Sequence, residues 1–95
     1  MVQLTIHFKL LPDKLNEFTL SWESFCQHIK STEGLSEYAF NQFGENNCDI
    51  VLLWKGQRCL NKFMQDDWYK FLLGAIDVLG DNKSITQKQL QEKTK

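Results

Sequence analysis

Three thiols, two imidazoles and three indoles are the side chains of this chain with the widest chemical use. Cys26, Cys48 and Cys59 are odd in number and show no Cys-x-x-Cys spacing, which argues against both a disulfide framework and a zinc site. Unpaired thiols suit a reducing compartment, so a cytoplasmic location is expected. His7 lies between alternate apolar residues and should point away from them, where an interface role outweighs catalysis. Cys26 falls inside a helical apolar stripe, where a thiol acts as a small hydrophobe, and His28 falls at the stripe's flank, on the surface. Arg58 and Tyr69 are polar enough to guard the mouth of a pocket, yet both lie off the apolar stripe of their segment. Trp22 and Trp68 read as core filling, whereas Trp54, at the end of an apolar run, serves equally well as core or as the wall of a ligand cavity. No nucleophile stands at a recognisable spacing from a base, so no catalytic residue is assigned.

Charge and length narrow the function classes. With 11 basic and 12 acidic residues spread along the chain, the formal net charge is -1, and no nucleic-acid footprint appears. Lys88, Lys93 and Lys95 are interspersed with Gln, Glu and Thr and read as a solvated tail. No apolar run approaches a membrane span, and no basic region precedes an apolar stretch at the N-terminus, so neither a membrane nor a leader is expected. The 95 residues suit one hydrophobic core, a single domain over 1–95, and an aromatic content of 13% gives that core many rings to place.

The elements that must position these residues follow from periodicity. Val2, Leu4, Ile6, Phe8 and Leu10 alternate with polar residues, which predicts a strand. After Pro12-Asp13, the spacing of Leu15, Phe18, Trp22, Phe25 and Ile29 predicts a helix that runs until Gly34. Leu35 to Phe43 and Cys48 to Lys55, joined by the polar Gly44-Glu45-Asn46-Asn47, predict a hairpin. The second helical region starts at Gly56, with Leu60, Phe63, Met64, Trp68, Phe71, Leu72, Ala75 and Leu79 on one broad face. Asp67 would fall inside that face, so a break is expected there, with Asp66 or Asp67 capping a second helical piece. Gly80-Asp81-Asn82 should stop the helix, and Ser84 to Gln91 is expected as an edge strand.

The order βαββαβ predicts an α+β, ferredoxin-like fold: a four-stranded antiparallel sheet with its helices on one face. The other face then carries Thr5, His7 and Lys9 together with Val51 and Leu53. That mixture is too apolar for water alone, so a homodimer is expected through the sheet face, with Thr5, His7, Val51 and Leu53 at the contact.

The same residues resemble a known family, the antibiotic-biosynthesis-monooxygenase-like (ABM) proteins of the dimeric α+β barrel superfamily, along nearly the whole chain. Leu11-Pro12-Asp13-Lys14 before Phe18 is similar to the family's Pro-Gly-Lys and later Phe, and Glu33-Gly34-Leu35 with Tyr38 to its Pro-Gly-Cys and Tyr. Leu53-Trp54 followed by Leu60, Phe63, Trp68 and Phe71 is similar to its strand-end Trp and aromatic-rich helix. The resemblance implies a cavity inside each subunit between sheet and helices, with Trp54 in its wall. Haem-degrading members add an Asn on the first strand and an axial His late in the second helical region. Here Ile6 and Phe71-Leu72-Leu73 stand at those places, so haem is not expected. Polyketide-oxidising members place Asn, Tyr, Arg or His near the Trp, where this chain has Ile50 and Leu60.

Two readings follow. The first is a cofactor-free monooxygenase of a small aromatic or quinol-like substrate, without metal, in a dry pocket lined by Trp54, Trp22, Tyr38, Phe63, Trp68 and Phe71. The second is a non-catalytic homodimer of the same fold that binds a small aromatic ligand or serves as an interaction module.

Overall fold

A computed structural model describes residues 1–90 of the chain. Strand β1 (Val2–Leu10) is followed by helix α1 (Leu15–Ile29), strands β2 (Leu35–Phe43) and β3 (Asn47–Trp54), helices α2 (Gln57–Phe63) and α3 (Asp67–Leu79), and strand β4 (Gly80–Gln89). The strands form one antiparallel sheet in the order β2-β3-β1-β4. This is the ferredoxin-like α+β fold, with the helices on one face.

Alternation along β1 and β3 sets the core. Val2, Leu4, Ile6, Phe8 and Leu10 are buried with Cys48, Ile50, Leu52 and Trp54 against Phe18, Phe25 and Ile29 of α1. Their neighbours in sequence point to the helix-free face, because successive strand side chains alternate. There Thr5 lies opposite Val51, His7 opposite Asp49 and Gln3 opposite Leu53. Val51 and Leu53 are half-buried, Thr5 is buried at the sheet centre, and His7 is exposed, its Nδ1 3.7 Å from the Asp49 carboxylate.

Four sequence expectations are corrected. Helix α1 ends at Ile29, about a turn short of Gly34, and Lys30 closes it by donating to the Cys26 carbonyl. Gly34 lies in the following loop with φ +88. The helical region breaks at Asp66, whose carboxylate accepts from the Trp68 backbone N–H at 2.8 Å, and this restart changes the helix phase. In consequence α3 buries Tyr69, Leu72, Ile76 and Leu79; Tyr69 is only 6% exposed, while Phe71, expected on the core stripe, is outward. Strand β4 begins directly at Gly80 rather than at Ser84. The chain lies so close to β1 there that a Cβ on Gly80 would stand 2.7 Å from the Lys9 carbonyl oxygen. Finally, Lys88 belongs to β4 and not to a tail; Gln91, Lys93 and Lys95 lie outside the described residues. Among the described residues no helix is long and apolar enough to cross a membrane.

Candidate functional site

Trp54 is the last residue of β3, held in register by Val2 of β1 on one side and Leu35 of β2 on the other. Its side chain is 0% exposed, and its indole N–H finds no acceptor among the described residues. An unmet buried donor costs roughly 1–3 kcal/mol, so this position carries a standing demand for an acceptor. Phe63, at the end of α2, packs on the indole with ring centroids 4.8 Å apart, and Tyr69 and Phe25 pack on Phe63 at 5.2 and 6.1 Å.

A second group of rings joins the first through Phe25. Trp22 stacks on Phe25 at 5.4 Å and meets Tyr38 and Phe40 at 6.4 and 5.9 Å. Phe40 continues to Phe18 and Phe8. The structure therefore brings Trp54, Phe63, Trp22 and Tyr38 into one tract of rings running between sheet and helices. Trp68 and Phe71 are not part of it. They pack on each other at 5.0 Å; Phe71 is exposed, while Trp68 is half-buried at the edge of the core, where it stacks on the exposed His28 of α1 at 3.7 Å. Phe25 and Phe40, which link the rings, were legible only as core or strand residues, because nothing in their spacing marks a junction.

Beside Phe63 the surface opens into a recess of about 220 Å³, lined by Thr32, Glu33, Arg58, Cys59, Lys62, Phe63 and Asp66. Of the aromatic candidates, Phe63 is the one in this lining. Arg58, set aside in sequence as lying off the stripe, is at the recess. Gly34 makes the approach possible. A Cβ on it would stand 2.4 Å from the Cys59 sulfur and 4.0 Å from the Trp54 ring, so Cys59 and the indole share the space that a side chain would take. Phe63 and Cys59 thus separate the recess from Trp54.

The chemistry available inside is sparse. Thr5 is the one buried polar or charged residue among those described, and it faces the other side of the sheet. Burial raises the Cys26 thiol to about 11, with the nearby Glu23 adding to the effect. Burial and then Asp49 likewise raise Cys48, so neither thiol is a thiolate near neutral pH. Burial also raises the Tyr69 phenol against a smaller opposing pull from Lys83, which keeps it a neutral hydrogen-bond donor.

No protein-family model matches the chain. A Bacillus subtilis protein named "Putative monooxygenase YcnE" is 25% identical over 95 residues, 97% of this chain and all of that protein. A crystal structure of a "putative antibiotic biosynthesis monooxygenase" from Deinococcus radiodurans superposes with a TM-score of 0.87 at 12% identity, covering 100% of this chain and 97% of the other. The chain has the antibiotic biosynthesis monooxygenase fold. SnoaB, a cofactor-independent oxygenase from Streptomyces nogalater, shares that fold with a TM-score of 0.81 at 10% identity, covering 97% of this chain and 94% of its own. Within the ABM fold, Trp54 stands at the strand end facing the helices, and the tract of rings occupies the space between the two layers.

Proposed function

We propose that the chain is a cofactor-independent monooxygenase of a small aromatic or quinol-like substrate, working as a pair of copies joined through the helix-free sheet face. The observation that carries this reading is the Trp54 indole N–H, buried without an acceptor at the end of a tract of rings. A flat substrate that reached it would supply the missing acceptor oxygen and would sit among rings that exclude water. In so dry a place an electron-rich substrate anion is poorly solvated, and the indole N–H offers its negative oxygen a fixed partner. With neither metal nor flavin, the electrons must come from the substrate. A ring CH₂ oxidised to C=O by O₂ balances as one oxygen atom retained and one released in water.

Entry runs through the recess by movement of Phe63. The substrate proton leaves the same way, toward Glu33, because no carboxylate or imidazole is buried among the described residues to receive it. That same absence of an internal base favours the second reading, a non-catalytic dimer that binds an aromatic ligand in the same place.

Oxygen uptake on a panel of quinols and phenols separates the two. Turnover is expected for the native chain, and Trp54→Phe, which keeps one six-membered ring and loses the N–H with the pyrrole half of the indole, should lower kcat at least about tenfold, the ~1.5 kcal/mol lower end for one hydrogen bond to a charged oxygen. The packing lost with the pyrrole and the relief of the unmet donor oppose each other, so the melting temperature should change little. Ligands that raise the melting temperature while none is consumed would exclude the oxygenase and leave the binding protein.

A further inference from the structure

The recess beside Phe63 carries charge from two directions. Arg58 and Lys62 come from α2, Glu33 comes with Thr32 from the loop before β2, and Asp66 stands just past the end of α2. Asp66 is committed, because its carboxylate accepts from the Trp68 N–H at 2.8 Å and so faces the start of α3. The two cations are not. Among the described residues no carboxylate comes within 4.0 Å of the Arg58 guanidinium or the Lys62 ammonium. They also stand four residues apart on one helix face, where like charges repel at some cost to the helix. An anion between them would relieve that repulsion.

We propose that Arg58 and Lys62 select a ligand with one carboxylate on a single aromatic ring, the acid held at the mouth of the recess and the ring placed against Phe63. This rests on the reading of the recess as the way into the ring tract, which the oxygenase and the binding protein share. The guanidinium can take both carboxylate oxygens side by side, and the ammonium adds a point charge one turn further along the helix. Size sets the ring count. At about 220 Å³ the recess is smaller than the ~300 Å³ at which sites for drug-sized molecules begin, so it admits one ring and not a fused polycycle.

Charge sets the number of acid groups. With Asp66 turned to its helix, two uncommitted cations stand against one uncommitted carboxylate, Glu33, so a single negative charge balances the recess. A second acid on the ring would meet Glu33 and be repelled, and an aromatic amine would meet Arg58 and Lys62. Both cations are exposed and partly screened by water, so the preference they give is a modest one that salt weakens. Arg58 and Lys62 thereby decide which ring enters, while Trp54 and Phe63 decide where it rests.

Calorimetric titration of the full chain with gentisate, its methyl ester and hydroquinone tests the proposal, because the three share a ring and differ in the acid group. Gentisate should bind about tenfold more tightly than the ester, and rising salt should weaken the acid and leave the ester unchanged. The double variant Arg58→Gln with Lys62→Gln should bind acid and ester alike, with the ester's Kd as in the native chain. Its melting temperature should be unchanged or slightly higher, since a like-charge pair is removed. Equal Kd values for acid and ester in the native chain, or an acid preference that survives the double change or high salt, would overturn the selection by charge and leave the aromatic site standing. Binding of none of the three would overturn both. Acid-selective binding without oxygen uptake would uphold the selection and remove only the oxygenase.

Discussion

A single missing side chain shapes the candidate site more than any functional group does. Gly34 takes φ +88, where an L-residue is strained, and the space a Cβ would need is filled by the Cys59 sulfur at 2.4 Å. Gly34→Ala therefore pays a backbone term and an overlap term together, roughly 2–3 kcal/mol by the usual costs of each. Urea unfolding should show this as a lower midpoint with an unchanged slope; an unchanged midpoint would mean that the loop and Cys59 move aside freely. In the sequence Gly34 looks like a helix stop, because a glycine after an apolar stripe is a common cap signal. Its actual role depends on α2, far along the chain, coming close to that loop, and no local spacing reports such an approach. Trp54 was legible for the opposite reason. A Trp ending a continuous apolar strand run must be buried or line a cavity on local grounds alone.

At the scale of elements, the legible parts are those whose burial is one-sided and complete. Strand β1 shows its alternation because every second residue enters the core. Strand β4 hides its start and its register because the residues facing the helix layer include Gln87 and Gln89, and everything after Gly80 is exposed. The break between α2 and α3 was legible from Asp66 and Asp67, but the burial phase after the break was not, since the restart frees α3 from the period of α2. Asp66 fixes that restart by accepting from the Trp68 N–H, so it also decides that Tyr69 rather than Phe71 enters the core. Asp66→Ala should cost about 1 kcal/mol, the usual value of a lost N-cap. Asp66→Asn should recover most of it, because an amide oxygen accepts the same hydrogen bond. Thermal unfolding of both variants checks the pair, and an equal loss for Ala and Asn would assign the effect to charge rather than to the cap.

For the whole molecule, the proposed sheet pairing turns on how much apolar surface one copy leaves in water. Domains of this size bury only about 65% of the surface their unfolded chains expose. On the helix-free face, Val51 and Leu53 sit beside Thr5 and Ala39, while Lys9, Glu37, His7, Asp49 and Lys88 stand around them. An apolar centre with a charged rim is the usual anatomy of a protein contact, and the four strands offer an area on the scale of the ~800 Å² per partner that stable pairs bury. Val51 is the most central test, since it lies between Thr5 of β1 and Ala39 of β2. Val51→Glu in both copies would place two carboxylates in the middle of the contact, where neither finds a cation opposite. It should weaken the pair by at least about a hundredfold, close to 3 kcal/mol. The side chain stays on a surface that is open in the single copy, so the fold itself should survive. Sedimentation of Val51→Glu against the native chain tests this face, and the change should halve the native mass. A Val51→Glu protein that keeps its native mass would remove the sheet face as the place where two copies meet, and with it the paired unit on which the proposed oxygenase rests.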